Sequence, residues 1–420
     1  MDYKPRVPPV WLFVLTGMPY GVVGAFAGQV MPYLTSQAGI KLGSIGWYGL
    51  LLLVPPMLQF LYAPIVDLGP KRKHWLILVS ILGAVFLFGA CVTPLPEHTT
   101  LFLILAVTAQ LVSGLVGSCN GGLLALSVPD HLRGKASGWY NIGNLSGGGL
   151  SAAIAIAEVG AEAEPWVIGL TLGAMMIAPS LAALWLDEPT RSLEPRHVFR
   201  ETLHDIGEVL FSKAGLTGIA LCISPVGTAA LTNYFSGMAK TYHVDATDTS
   251  LTVLGNAALN ALGAWGGGWL CDRYNRRAMY LLSGALTAVC AIIMALSPDV
   301  RLTYIAGVMT YALITGFCYS AFTATVLETI GTAGRAASTQ YSLFVAAGNA
   351  AIAYVGLVDT RFDETYGAEG VLGSDAALNI LGVLVLGFVF WRLRSFGKSR
   401  HPEVPPTPIP QAKVISGGDQ

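Results

Sequence analysis

The chain has 420 residues, 53% of them hydrophobic and only 12% charged, with a net charge of −1. A soluble globular protein carries about 25% charged residues, so that class is excluded, and a chain without net positive charge implies no nucleic-acid partner. Apolar runs of about 20 residues, the length that crosses a bilayer, recur from end to end. The 49 glycines suit close helix packing in lipid.

Taken in order, spans are predicted at roughly 10–33, 45–66, 75–93, 100–128, 138–157 and 165–186. A polar segment, roughly 187–214, follows, and further spans are predicted at roughly 215–238, 250–270, 278–297, 302–327, 336–358 and 375–392. The first span follows a short tail with Lys4 and Arg6; it is too long for a signal-peptide core and reads as an uncleaved anchor. In the polar segment, Phe199, Leu203, Ile206 and Leu210 fall at helical spacing with charged residues mostly between them, as in an amphipathic helix lying on a membrane surface. A Pro-rich basic tail, 393–420, is expected to be disordered. The six cysteines lie in or beside apolar spans with no paired spacing and read as small buried hydrophobes.

Twelve spans with both termini inside put 20 of the 24 Lys and Arg on the cytoplasmic side and leave Lys41, Lys240, Arg301 and Arg361 outside. That asymmetry is what the positive-inside rule demands. The outer loops lean acidic, with Glu158, Glu162 and Glu164 in one and Asp359, Asp363, Glu364 and Glu369 in another; they read as solvated.

The chain also repeats itself. Leu58–Lys73 ends an apolar span with Asp67 and follows it with Lys71, Arg72 and Lys73; Gly268–Arg277 does the same with Asp272, Arg273, Arg276 and Arg277. Asp67 to Asp272 is 205 residues, Arg133 to Arg335 is 202, and Ala136 to Ala337 is 201. One period from independent landmarks predicts two related six-span halves, 1–186 and 215–392, joined by the segment 187–214.

With these residues the sequence resembles the major facilitator superfamily, whose loop signature is Gly-x-x-x-Asp-Arg-x-Gly-Arg-Arg. Gly268, Asp272, Arg273, Arg276 and Arg277 match it, and Asn275 departs from it; the first copy is looser, with Ala63 and Leu68 in place of Gly and Arg. The run Arg133 to Gly138 is similar to that superfamily's loop between spans 4 and 5. A narrower resemblance is to the peptide/acetyl-coenzyme A transporter group, which includes muropeptide and siderophore permeases. It rests on Phe60-x-Tyr62-x-Pro64-x-x-Asp67 and Ala337-Ser338-Thr339-Gln340-Tyr341-Ser342. The resemblance implies an all-α membrane protein of twelve transmembrane helices in two pseudo-symmetric six-helix bundles. It implies a monomer in a bacterial inner membrane that moves a small organic solute by alternating access, without a cofactor or metal. Spans 3, 6, 9 and 12 are then expected to face lipid, and the distribution of amides among the remaining spans agrees.

An Asp at the C-terminal end of a helix is disfavoured by the helix dipole and needs a partner. Asp67 and Asp272 are therefore expected to bond to cations or helix N-termini across the halves, latching one state. Lys71, Arg72, Arg133, Arg273, Arg276, Arg277 and Arg335 complete that set. No charged residue falls in the middle of a predicted span, so Asp67, Asp272 and Glu328 are the candidates for coupling to protons, and a facilitator is the alternative. Tyr20, Gln29, Gln110, Asn120, Asn233, Tyr234, Tyr311 and Tyr319, on the spans expected at the centre, are nominated for substrate contact. The stripes Gln110, Gly114, Gly117, Gly121 and Asn256, Asn260, Gly263, Gly267 each share a helix face. The lack of a dry cationic cavity favours a neutral, sugar-peptide-like solute; siderophore or acetyl-coenzyme A carriage, or a non-transporting receptor or scaffold, are the rival readings. Phosphate-loop, zincin and serine-hydrolase signatures are absent, so no enzyme is expected.

Overall fold

The computed structural model describes residues 9–40, 42–68, 70–188, 213–239, 241–244, 246–330 and 337–392. The amphipathic segment, Arg335 and the C-terminal tail lie outside these residues, as do Lys41 and Lys240. The described chain is helical, without a strand. Among the described residues eight helices are long and apolar enough to cross a membrane, or nine if one bent pair counts as a span.

α1 runs Leu12–Gln37 and contains a π-turn at Phe26–Val30. α2 runs Leu42–Met57 and continues through Gln59–Tyr62 and Pro64–Asp67. Pro55 and Pro56 withhold two N–H donors, and the chain turns by 44° beyond them. The Tyr62 hydroxyl donates to the Pro55 carbonyl at 3.0 Å across this bend. α3 (Arg72–Val92), α4 (Thr99–Ser127), α5 (Arg133–Gly160) and α6 (Pro165–Ser180) complete the first half. α7 (Lys213–Cys222) is short. α8 (Ala246–Arg273), α9 (Arg276–Leu296) and α10 (Arg301–Ile330) follow. The last helical stretch, Ala337–Arg392, divides into α11 (337–366) and α12 (368–392) at Gly367, whose φ of 62° and ψ of −147° suit glycine alone.

Two crossings built from glycine repeat in the two halves. A methyl group on Gly21 would collide with the Asn144 carbonyl, and one on Gly143 with that of Val14, so α1 and α5 meet backbone to backbone. Gly263 stands in the same relation to Leu313 and Gly316 to Asn260, where α8 meets α10. The halves themselves meet where Gly134 and Gly138 of α5 press on Gly268 of α8. Each half has its own apolar cluster, one around Phe26, Phe102 and Leu172, the other around Tyr304, Tyr311 and Val371. A third cluster crosses between halves and includes Phe13, Leu123, Leu327 and Phe344. Leu82 and Val85 of α3, Leu170 of α6, Ile293 of α9 and Leu384 of α12 are exposed, giving these helices the apolar outer faces a bilayer requires.

Two sequence expectations change here. Residues 359–366 continue α11, so the outer acidic stretch is not a solvated loop throughout: Asp359 is fully buried, as is Asp375 in α12. Both acids lie eight residues from the Gly367 break, toward the ends of α11 and α12 and not at mid-span. Span 7 is not one helix, because α7 stops at Cys222 and the chain passes Ser224-Pro225-Val226-Gly227 before a 3-10 turn at Ala230–Asn233. Pro225 lacks a donor and Gly227 has a φ of 63°, so neither continues a helix. Along α1, Gly17 and Gly21 pack against α5, whereas a methyl group on Gly24 or Gly28 would meet nothing.

Candidate functional site

The end of the molecule where α2, α4, α8 and α10 finish is closed by charged groups. Asp67 Oδ1 accepts from Arg72 Nε at 3.1 Å and Nη2 at 2.6 Å. Its Oδ2 accepts from the Thr339 N–H at 3.0 Å and the Thr339 hydroxyl at 2.8 Å, at the N-terminus of α11 in the opposite half. Arg72 is buried and also donates to Ser338 Oγ at 2.7 Å and to Glu188 at 3.3 Å. Asp272 repeats the arrangement. Its two oxygens accept from the N–H groups of Gly134 at 2.7 Å and Lys135 at 2.9 Å, at the N-terminus of α5. Each carboxylate thus meets the positive end of a helix dipole supplied by the other half.

The other members of the predicted set divide. Arg133 donates to the Leu327 carbonyl at 2.7 Å and the Ala125 carbonyl at 2.8 Å, tying α4, α5 and α10. Arg276 bonds Asp130 across the halves at 3.0 Å, and Glu328, Arg276 and Arg277 form a looser group at 3.8–3.9 Å. Arg273 lies over the Trp269 ring at 4.1 Å, on its own helix. Lys71 precedes α3 without an ion pair among the described residues.

Above this closed end lies a polar layer. Gln59 Nε2 donates to Ser118 Oγ at 3.0 Å and to Ser342 Oγ at 3.3 Å, and the two hydroxyls are 2.7 Å apart, linking α2, α4 and α11. Asn141 Nδ2 donates to Thr323 Oγ1 at 3.0 Å and to the Tyr319 carbonyl at 3.2 Å, linking α5 and α10. Gln59 and Asn141 also line a cavity enclosed by both halves, with about 710 Å³ of atom-free space including its mouth. Tyr20, Tyr140, Tyr280, Tyr319 and Tyr341 surround it, with Asn144 and Asn349 among them, and no charged side chain among the described residues lines it. The glycine stripe of α4 makes room for such rings: Gly117 abuts the Tyr20 ring and Gly121 the Tyr341 ring.

Of the nominated contact residues, Tyr20 and Tyr319 line the cavity. Five of the others lie elsewhere. Gln29 is exposed in the π-turn. Gln110 is buried in α4, and Asn120 donates to the Thr16 carbonyl at 2.8 Å, fastening α4 to α1. The Tyr234 hydroxyl bonds α11 at Gly356 and Thr360, and Tyr311 is buried with its hydroxyl 3.5 Å from Asp375. The Asn233 side chain lies outside the described residues.

Two contributors to the cavity were not anticipated. α9 was expected to face lipid only, yet Tyr280 turns inward and donates to the Val226 carbonyl at 2.8 Å. The broken α7 lines the cavity from Cys222 through Ser224 to Thr228, and the Ser224 and Thr228 hydroxyls are buried with no partner among the described residues. Non-helical backbone at membrane depth is tolerated where it lines a cavity. The Pro-x-Gly spacing of Pro225 and Gly227 was the available signal for this break.

The family model described as Major Facilitator Superfamily matches residues 12–356. No curated protein matches the chain in sequence. Among solved structures the chain is similar to the human organic anion transporter MFSD10 (TETRAN), at 14% identity and a TM-score of 0.70, over 92% of this chain and 100% of that one. It is also similar to the E. coli fucose:proton symporter FucP (13% identity, TM-score 0.67, 90% of this chain and 98% of that one). The proton:xylose symporter XylE bound to 6-bromo-6-deoxy-D-glucose gives 12% identity and a TM-score of 0.65, over 91% of this chain and 94% of that one. At these identities the likeness is one of fold.

Proposed function

The chain belongs to the Major Facilitator Superfamily, a family of membrane transporters and not of enzymes, and we propose that it is a twelve-span secondary carrier of a neutral, hydroxyl-rich solute. The two six-helix halves rock about the cavity between them, with both termini in the cytoplasm of a bacterial cell. The observation that carries this reading is the cavity itself: five tyrosines and several amides, with no charged side chain among the described residues. Tyrosine rings stack on sugar rings, and hydroxyls and amides exchange hydrogen bonds with sugar hydroxyls at little desolvation cost. A polyanion such as acetyl-coenzyme A would enter without a compensating cation. Sugars and sugar-peptides are therefore favoured over coenzyme A esters. That two structural neighbours are described as fucose and xylose symporters is in keeping with this reading.

In the same reading Asp67, Asp272, Arg72 and Arg276 form the latch on the cytoplasmic side, and the state described here is the one with that side shut. Opening inward breaks the contacts of Asp67 with Thr339 and of Asp272 with Gly134.

The test is uptake by proteoliposomes of radiolabelled L-fucose, D-xylose, an N-acetylglucosamine–anhydro-N-acetylmuramic disaccharide and acetyl-coenzyme A. Uptake of a sugar member, lost in Tyr319→Ala, is the expected result. Acetyl-coenzyme A uptake with none of the sugars would overturn the reading.

A further inference from the structure

Asp359 and Asp375 lie on either side of the Gly367 break, in α11 and α12. Ser374, the residue before Asp375, donates to Asp359 Oδ1 at 2.6 Å. Both carboxylates are fully buried, and Asp359 Oδ2 and Asp375 Oδ1 have no partner among the described residues. The groups facing them from other elements are Tyr311 of α10, Cys290 of α9 and Tyr234 beyond the α7 break. None is basic. Arg361 of α11 is exposed and pairs with Glu364 at 3.2 Å. Val371, Leu372 and Ala376 supply apolar walls. Two neighbouring carboxylates in such a place disfavour double ionisation twice over, by desolvation and by mutual repulsion.

This pair is wired to the cavity. Asn379, fully buried on α12, serves both sides with one amide. Its Nδ2 donates to the Asp375 carbonyl at 2.9 Å and approaches Asp375 Oδ2 at 3.4 Å, while its Oδ1 accepts the Gly227 N–H at 2.8 Å. Gly227 belongs to the α7 break that lines the cavity, and its carbonyl accepts the Cys318 thiol at 3.3 Å.

We propose that Asp359 and Asp375 are a proton-binding site and that Asn379 transmits its charge state to the Ser224–Thr228 segment. One proton from water on the outer side forms the O–H of one carboxyl group, and the same O–H returns it to water when the pair ionises; no other bond changes. With one proton on the pair, Asn379 holds Gly227 as described. When the pair carries full charge, Asp375 Oδ2 draws Asn379 Nδ2 toward itself, the amide turns, and Gly227 loses its acceptor. The cavity wall then rearranges. Asp67, by contrast, already has Arg72 and Thr339 as partners. The inference rests on the transporter reading, but its test needs no transported solute.

The experiment follows alkylation of Cys318 by N-ethylmaleimide in the full chain reconstituted in lipid, read by peptide mass spectrometry from pH about 5 to about 9. Asp375→Asn mimics the protonated group, so the ratio of wild-type to variant rate cancels the thiol's own ionisation. We expect a ratio near one at the acid end that rises roughly fivefold at the alkaline end, the lower range of coupling between sites. Asp359→Asn gives the same trend, and Asn379→Ala abolishes it. Infrared difference spectra of wild type supply a second reading that needs no variant: a protonated-carboxyl band that titrates within this range. A ratio independent of pH, or no titrating band, would overturn the proposal. A ratio set by sodium against choline at fixed pH would also overturn it, in favour of a metal-cation site.

Discussion

Asp67 and Asp272 occupy equivalent places in the repeat but do not carry equal loads. Asp67 is 2% exposed and neutralises Arg72, itself 1% exposed. Asp67→Asn leaves a buried guanidinium with Glu188 as its remaining acid, and breaking a buried pair costs about 3 kcal/mol. Asp272→Asn keeps an acceptor for one of two backbone N–H groups and loses about 1 kcal/mol. Both variants should insert normally and transport more slowly, with Asp67→Asn melting at the lower temperature in detergent. Equal melting temperatures would sink the ranking. The acids themselves were legible in the sequence, because an Asp closing an apolar run next to cations is rare enough to notice. Their acceptor role toward Thr339, Gly134 and Lys135 was open to only a general expectation, since a backbone N–H carries no sequence signature.

Elements obey the same division. Apolar length places most helices to within about five residues, because the bilayer acts on each segment alone; α7 and the junction of α11 with α12 are the exceptions. It did not separate glycines that pack from glycines that do not. We predict that Gly21→Ala and Gly263→Ala force apart α1/α5 and α8/α10 and lower the melting temperature by several degrees, as overpacking of about 1–3 kcal/mol would. Gly24→Ala and Gly28→Ala meet open space and should be neutral or stabilising by up to about 1 kcal/mol. Melting curves of the four variants decide this; a loss at Gly24 equal to that at Gly21 would show that the close approach is not the cause. The break in α7 was missed because its residues are as apolar as a span. Only the Pro225 and Gly227 backbone reveals it, together with the Asn379 side chain that accepts the freed Gly227 N–H.

For the molecule as a whole, alternating access requires α4 and α11 to part on the latch side of the cavity. The Ser118 and Ser342 hydroxyls, 2.7 Å apart on opposite halves, offer a direct check. A Ser118→Cys/Ser342→Cys protein oxidised to the disulfide should hold that side shut and stop transport, and a reductant should restore it; the side-chain separation falls within reach of the bond. Undiminished transport by the oxidised protein would mean that the halves need not separate there.

The sequence by itself determined that this is a helical membrane protein with an internal repeat, a one-sided distribution of cations and an acid-plus-cation loop used twice. Each of those properties belongs to a segment and its solvent, and so is written locally. Tertiary structure alone decided which amides reach the cavity, which of eight nominated residues line it, and that Asp359 and Asp375 are buried together beside Asn379. Those outcomes depend on how each helix is rotated about its axis and which neighbour it meets. A rotation of half a turn leaves composition, length and hydropathy unchanged while moving a side chain from lipid to cavity.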